Sequence, residues 1–178
     1  MKRFLAISGS LRRASTNAAL LRAVAASAPD DIVVALYDGM GDLPIFNPDN
    51  EGERTPAAVT ALGEKIRAAD GLIIACPEYA HGIPGGIKNL LDWLVSRDEI
   101  PGKPVMLLRA SSRNDISHAA LQEVLRTMSV ALMPEPGFAM HLLSRKAAEI
   151  DVLMATPEMR AQLAAALRGF AAWIEGRG

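Results

Sequence analysis

Two short segments of the chain concentrate the residue types that can hold an anionic, partly planar ligand. The first is Ser8-Gly9-Ser10-Leu11-Arg12-Arg13-Ala14-Ser15-Thr16-Asn17. It follows an apolar run and leads into a stretch with helical spacing, so its last residues open a helix. A helix N-terminus leaves backbone N–H groups unpaired and carries partial positive charge, which suits a phosphate. Ser10, Ser15, Thr16 and Asn17 add hydroxyl and amide donors, and Arg12 or Arg13 adds charge. A plainer reading also stands, in which Ser15 or Thr16 caps the helix and both arginines face water. The segment lacks both G-x-x-x-x-G-K-[ST] and G-x-G-x-x-G. Those are the patterns of triphosphate and dinucleotide loops, so a terminal monophosphate fits better than a pyrophosphate.

The second segment is Pro77-Glu78-Tyr79-Ala80-His81-Gly82-Ile83-Pro84-Gly85-Gly86. Two prolines and three glycines in ten residues make a shaped loop with free backbone donors and acceptors. Tyr79 can lie against a planar ligand. His81 either donates to that ligand or stands in solvent, and Glu78 bonds backbone or substrate. Other candidates carry less chemistry. Cys76 reads as a small core residue at the end of a strand. His118 and His141 have no ligand spacing to one another or to a carboxylate cluster, which argues against a metal site. No G-x-S-x-G elbow is present, so a serine hydrolase is excluded.

The elements that must position these loops follow from hydrophobic patterning. Short apolar runs at 4–7, 32–37, 72–76 and 104–108, with a weaker one at 138–142, predict strands buried on both faces. Between them, helical spacing covers 17–28, 56–69, 86–96 and 117–129, and a last helix starts at Thr156-Pro157. Thr55-Pro56 and Thr156-Pro157 each read as an N-cap followed by proline at the first helical position. The stretch 38–53 has the composition of a long loop without a domain boundary. Five alternations of strand and helix predict one α/β domain over 1–178, a doubly wound five-stranded parallel sheet with helices on both faces. In such sheets ligands bind beyond the carboxyl ends of the strands, where strand order reverses. The two segments above follow the first and third strands, and Ala110-Ser111-Ser112-Arg113-Asn114 follows the fourth.

Bulk properties narrow the function classes. A net charge of -1 over 178 residues gives no footprint for nucleic acid or an anionic membrane. A single cysteine excludes an internal disulfide framework and argues for a reducing, cytoplasmic setting. No apolar run approaches the roughly 20 residues of a membrane span, and the first residues read as a strand rather than a secretory signal.

The motif G-S-L-R-x-x-S-x-N at Gly9–Asn17, with P-E-Y-x-x-x-x-P-G-x-x-K-N-x-x-D-W at Pro77–Trp93, resembles the NADPH-dependent FMN reductase family. That family includes bacterial quinone, chromate and azo-dye reductases, and the resemblance covers roughly residues 3–135. It implies a flavodoxin-like fold with strand order 2-1-3-4-5 and non-covalent FMN. It implies that Ser10, Arg12, Ser15, Thr16 and Asn17 hold the FMN phosphate. It also implies that Pro77, Glu78 and Tyr79, with Ala80, His81 and Gly82, run along the isoalloxazine, and that Ser111 and Arg113 approach it from the fourth-strand loop. Family members are usually homodimers or homotetramers with the flavin near a subunit boundary.

This chain departs from the family at two places. Asparagine commonly follows P-E-Y, where Ala80 stands, and the fourth-strand loop is usually small and glycine-containing, where Arg113 stands. The expected activity is ping-pong transfer of electrons from NAD(P)H through FMN to a quinone, free flavin or similar small acceptor, with no essential acid–base side chain. Two alternatives remain at this point: a one-electron carrier, which the near-neutral charge disfavours, and a flavin-free binding module, which Ala80 and Arg113 motivate.

Overall fold

The computed structural model describes residues 1–12, 14–111, 114–134, 137–142, 145 and 147–177. Strands β1 (Lys2–Ser8), β2 (Ile32–Tyr37), β3 (Gly71–Ala75) and β4 (Pro104–Arg109) are all parallel, in the order β2-β1-β3-β4. The chain thus leaves β1 for one side and returns to place β3 on the other, which creates a switch point between the carboxyl ends of β1 and β3. Helices α1 (Thr16–Ala26), α2 (Ala57–Ala68), α3 (Gly85–Leu94), α4 (Asp115–Thr127), α5 (Ala147–Met154) and α6 (Pro157–Glu175) cover the two faces.

The alternation of side chains along each strand sorts the core into two layers. Leu5, Ile7, Leu72, Ile74, Val105 and Leu107 face the helices α2, α3 and α4. Phe4, Ala6, Ile73, Ala75, Met106 and Leu108 face α1, α5 and α6. Phe4 meets Phe170 of α6 with ring centroids 4.8 Å apart. Being buried from both sides is what made β1, β3 and β4 read as continuous apolar runs. β2 is an edge strand, and Val33 and Leu36 on it are exposed.

The fifth strand position differs from expectation in detail. Two two-residue strands share it: β5 (Ala131–Leu132) pairs with Pro104 and Val105, and β6 (Phe138–Ala139) pairs with Leu108 and Arg109. Beyond β6, the Met140 and Leu142 N–H groups still donate to the carbonyls of Arg109 and Ala110. The apolar run at 138–142 therefore does flank the carboxyl end of β4, but mostly outside regular strand.

Local signals fared unevenly. Thr156 caps α6 as expected, accepting the Met159 N–H, with Pro157 at the first position. Thr55 does not cap α2. Its hydroxyl turns back to the Gly52 carbonyl, and Pro56 stands at the cap without a side-chain bond. The long loop contains three short 3-10 turns, at Gly39–Asp42, Pro48–Asn50 and Gly52–Arg54. It is pinned to α3 through Asn89 and Trp93, whose side-chain N–H groups both donate to the Pro44 carbonyl.

Candidate functional site

A cavity of about 270 Å³ opens beyond the carboxyl ends of β1, β3 and β4. Its floor is the meeting of the first two loops. The Gly9 N–H donates to the Ala75 carbonyl at 2.8 Å, prolonging the β1–β3 ladder by one step. A Cβ at Gly9 would stand 3.0 Å from Cys76 Sγ and 3.1 Å from Cys76 Cα, so only glycine lets the loops lie this close. Cys76 is buried beneath, and burial pushes its thiol up to about 12. It is a packing residue rather than a nucleophile.

On one side of the cavity stands the N-terminus of α1. Ser15 is its N-cap, its hydroxyl accepting the Ala18 N–H at 3.5 Å and its carbonyl accepting the Ala19 N–H at 2.9 Å. The first-turn N–H groups of a helix have no partners within it. Ser10, Arg12, Thr16 and Asn17 line the same wall. Asn17 is the telling residue. It is 6% exposed, and its Oδ1 has no hydrogen-bond partner among the described residues. A buried acceptor left unpaired costs about 1–3 kcal/mol, which a donor from a ligand in the cavity would offset. Arg12 is exposed at the rim, and Arg13 lies outside the described residues.

The opposite wall is Pro77, Glu78 and Tyr79. Tyr79 Oη and Ser10 Oγ are 3.2 Å apart, closing the cavity between the two loops. Tyr79 and Gly82 then pair through both backbone bonds, at 3.1 and 3.0 Å, around a two-residue turn. The central residues Ala80 and His81 have φ of 49° and 57°. Positive φ at both centres is the type I′ pattern, which glycine and asparagine favour and alanine resists. Asparagine at position 80 would thus serve this turn through its backbone.

Glu78 does not face the cavity freely. Its Oε2 accepts the Ser117 N–H of α4 at 3.0 Å, and its Oε1 lies 3.3 Å from His81 Nδ1. The third loop closes the site with Ala110, Ser111 and Asn114. Asn114 is buried; its Nδ2 donates to the Cys76 carbonyl at 3.2 Å, and its Oδ1 accepts from the Arg109 guanidinium. Arg109 also pairs with Asp115. Arg113 lies outside the described residues.

Nine of the thirteen residues singled out in the sequence line this one cavity: Ser10, Arg12, Ser15, Thr16, Asn17, Pro77, Glu78, Tyr79 and Ser111. Ala80, His81 and Gly82 form the turn beside it rather than its wall. The sequence reading missed Asn114, which ties the second loop to the third. No periodicity or motif marks it, because its partners come from β4 and from the end of β3. A wider cleft of about 570 Å³ continues from Ser10 and Arg12 toward Asp38 and Tyr37 at the end of β2. There burial, and then the charges of Asp42 and Asp38, raise the Tyr37 phenol above its ordinary value. Among the described residues no cluster could hold a metal ion, and no helix is long and apolar enough to cross a membrane.

Comparison with known proteins finds relatives over most of the chain. The family described as NADPH-dependent FMN reductase matches residues 2–145. A quinone reductase of Escherichia coli strain K12 is 39% identical over 145 residues, which is 78% of this chain and 77% of that protein. A 2-hydroxy-1,4-benzoquinone reductase of a Burkholderia species is 32% identical over 176 residues, 95% of this chain and 94% of its own length. Among solved structures, the flavoenzyme NAD(P)H:(acceptor) oxidoreductase FerB of Paracoccus denitrificans superposes with a TM-score of 0.79 at 25% identity. The match covers 99% of this chain and 98% of that one.

Proposed function

We propose that this chain, which belongs to the NADPH-dependent FMN reductase family, passes electrons from NAD(P)H through non-covalent FMN to quinones by a ping-pong sequence. When bound, FMN supplies the two-electron chemistry; the protein supplies position, electrostatics and access. The observation that carries the reading is the buried Asn17 side chain beside the N-cap of α1, whose Oδ1 has no hydrogen-bond partner among the described residues. Turned about its last torsion, that amide presents Nδ2, and the oxygen and nitrogen are exchanged by such a turn. A phosphate accepted there meets the Asn17 amide, the Ser10 hydroxyl, the Ser15 and Thr16 helix terminus and the Arg12 guanidinium. Ser10 and Tyr79, bonded to each other, would stand between the residues that hold the phosphate and those that hold the ring. Pro77, Glu78 and Tyr79 on one wall and Ser111 on the other are the residues that would hold the ring. Gly82 and Ala80 hold that loop's shape.

Quinones are the acceptors favoured because relatives spanning most of this chain carry that activity in their names. Exposed apolar residues beside the loops, Leu11 and Tyr79 among them, support a homodimer or homotetramer in which a second copy covers the site's edge. The single buried thiol fits a cytoplasmic setting. The test is steady-state kinetics of the FMN-loaded protein with NAD(P)H and a benzoquinone. Parallel double-reciprocal lines are expected. Lines that intersect contradict the ping-pong order, and no NAD(P)H oxidation at all removes the reading.

A further inference from the structure

Glu78 joins three elements of the site. Asn114, at the N-cap position of α4, makes no side-chain cap bond, because its amide is engaged with Cys76 and Arg109. The Glu78 carboxylate does that capping from another loop, through Oε2 and the Ser117 N–H at 3.0 Å. Its other oxygen, Oε1, is 3.3 Å from His81 Nδ1. The Glu78 side chain is 15% exposed and that of His81 is 80% exposed. The pair therefore leads from the cavity wall to the solvent side of the turn. Two successive non-glycine residues at positive φ bring His81 back to Glu78, a local strain of the kind that persists at functional sites. A carboxylate on Nδ1 holds a proton on that nitrogen and leaves Nε2 as the outward atom.

We propose, in departure from the sequence expectation of no essential acid–base side chain, that His81 delivers the second proton to a bound quinone and that Glu78 is its positioning residue. This rests on the quinone reductase reading above. A quinone becoming a quinol gains two electrons and two protons. Both electrons and one proton arrive as a hydride equivalent, and NAD(P)H is what is oxidised. The remaining proton leaves the His81 imidazolium: its Nε2–H bond breaks as the quinol O–H bond forms. The neutral imidazole keeps its Nδ1–H on Glu78 and regains the lost proton from water. A carboxylate in this place steadies the imidazolium and the ring's orientation without itself taking the proton.

The experiment compares benzoquinone with ferricyanide, an acceptor that takes electrons and no proton, in the FMN-loaded wild type, His81→Gln and Glu78→Gln. A positioned general acid contributes about 10²–10⁴-fold. Water reaches this ring, so the expected fall in the ratio of quinone to ferricyanide kcat is near the low end, about 10²-fold, for His81→Gln. Glu78→Gln keeps an oxygen for the Ser117 N–H and lowers the same ratio by a smaller factor. A readout independent of turnover is the imidazole ¹⁵N spectrum, assignable because the chain has three histidines. The Nδ1–H tautomer of His81 is expected in the wild type, moving toward Nε2–H in Glu78→Gln. An unchanged kcat ratio in His81→Gln, or an Nε2–H tautomer in the wild type, overturns the proposal. Failure of both acceptors to support NAD(P)H oxidation strikes the functional reading instead, and the tautomer still decides whether Glu78 positions His81.

Discussion

Replacing Asn17 with alanine separates stability from function with opposite signs. Asn17 is buried near the start of α1, and its Oδ1 has no partner among the described residues. Without ligand that atom costs about 1–3 kcal/mol of desolvation. Alanine removes the penalty and adds a few tenths of a kcal/mol of helix propensity, against a small loss of packing. The ligand-free variant is therefore expected to be more stable by about 1–2 kcal/mol. For a chain of this size that is a rise of roughly 2–8 °C in melting temperature. With FMN the sign reverses. A hydrogen bond to a charged group is worth about 1.5–3 kcal/mol, so the dissociation constant rises by roughly 10–100-fold. The assay is a pair of measurements on one preparation: thermal melting of the flavin-stripped protein, and quenching of flavin fluorescence on titration. A ligand-free variant that melts lower than wild type, with FMN affinity unchanged, would make Asn17 a structural residue with no part in binding FMN.

Three further substitutions or treatments probe the frame around the site. Ala80→Asn relieves a left-handed backbone conformation that costs alanine about 1–2 kcal/mol, and a stabilisation of about 0.5–1 kcal/mol is expected in thermal or urea melts; Ala80→Val is expected to destabilise. Gly63→Ala drives a Cβ into the Glu99 carboxylate and the Arg97 guanidinium, which form a buried ion pair against α2. Overpacking of this kind costs about 1–3 kcal/mol against about 1 kcal/mol gained in helix propensity, so a net loss of up to about 2 kcal/mol is expected, read as a lower urea midpoint with unchanged slope. The Cys76 thiol, raised to about 12 by burial, stays protonated in the folded protein. Iodoacetamide at mildly alkaline pH is expected to label it only after denaturant is added. Because the folded value lies above the unfolded one, its contribution to stability is present below the unfolded value and is lost as pH climbs from about 9 through 12.

The parts of this molecule legible in the sequence are those decided locally. β1, β3 and β4 are buried on both faces, so their residues are apolar without interruption, and the loops that follow them end on helix-opening residues. Ser15 and Thr156 announce helices by capping them. What escaped is decided by partners distant in the chain. β5 is two residues, too short for any period, and exists because β4 offers an open edge, while the run at 138–142 foretold β6 but not its two-residue length. The helix Ala147–Met154 has a sequence, Ala-Ala-Glu-Ile-Asp-Val-Leu-Met, with little polar face and no cap signal, and it forms against α1. Thr55 resembled a cap but found the Gly52 carbonyl closer. At the site, the phosphate wall was readable because it is one continuous segment. The roles of Glu78 and Asn114 were not, because each bonds across loops 30 or more residues apart. The turn at Ala80 and His81 gave no signal either, since neither residue favours positive φ.

On the proposed function this chain holds FMN and cycles it between NAD(P)H and a quinone. The most direct test is an anaerobic spectrum of the protein loaded with FMN and desalted. Visible flavin absorbance is expected to stay with the protein, to be bleached by NAD(P)H, and to return when a benzoquinone is added. A protein that emerges colourless, or that keeps its flavin oxidised in the presence of NAD(P)H, would contradict the proposed function.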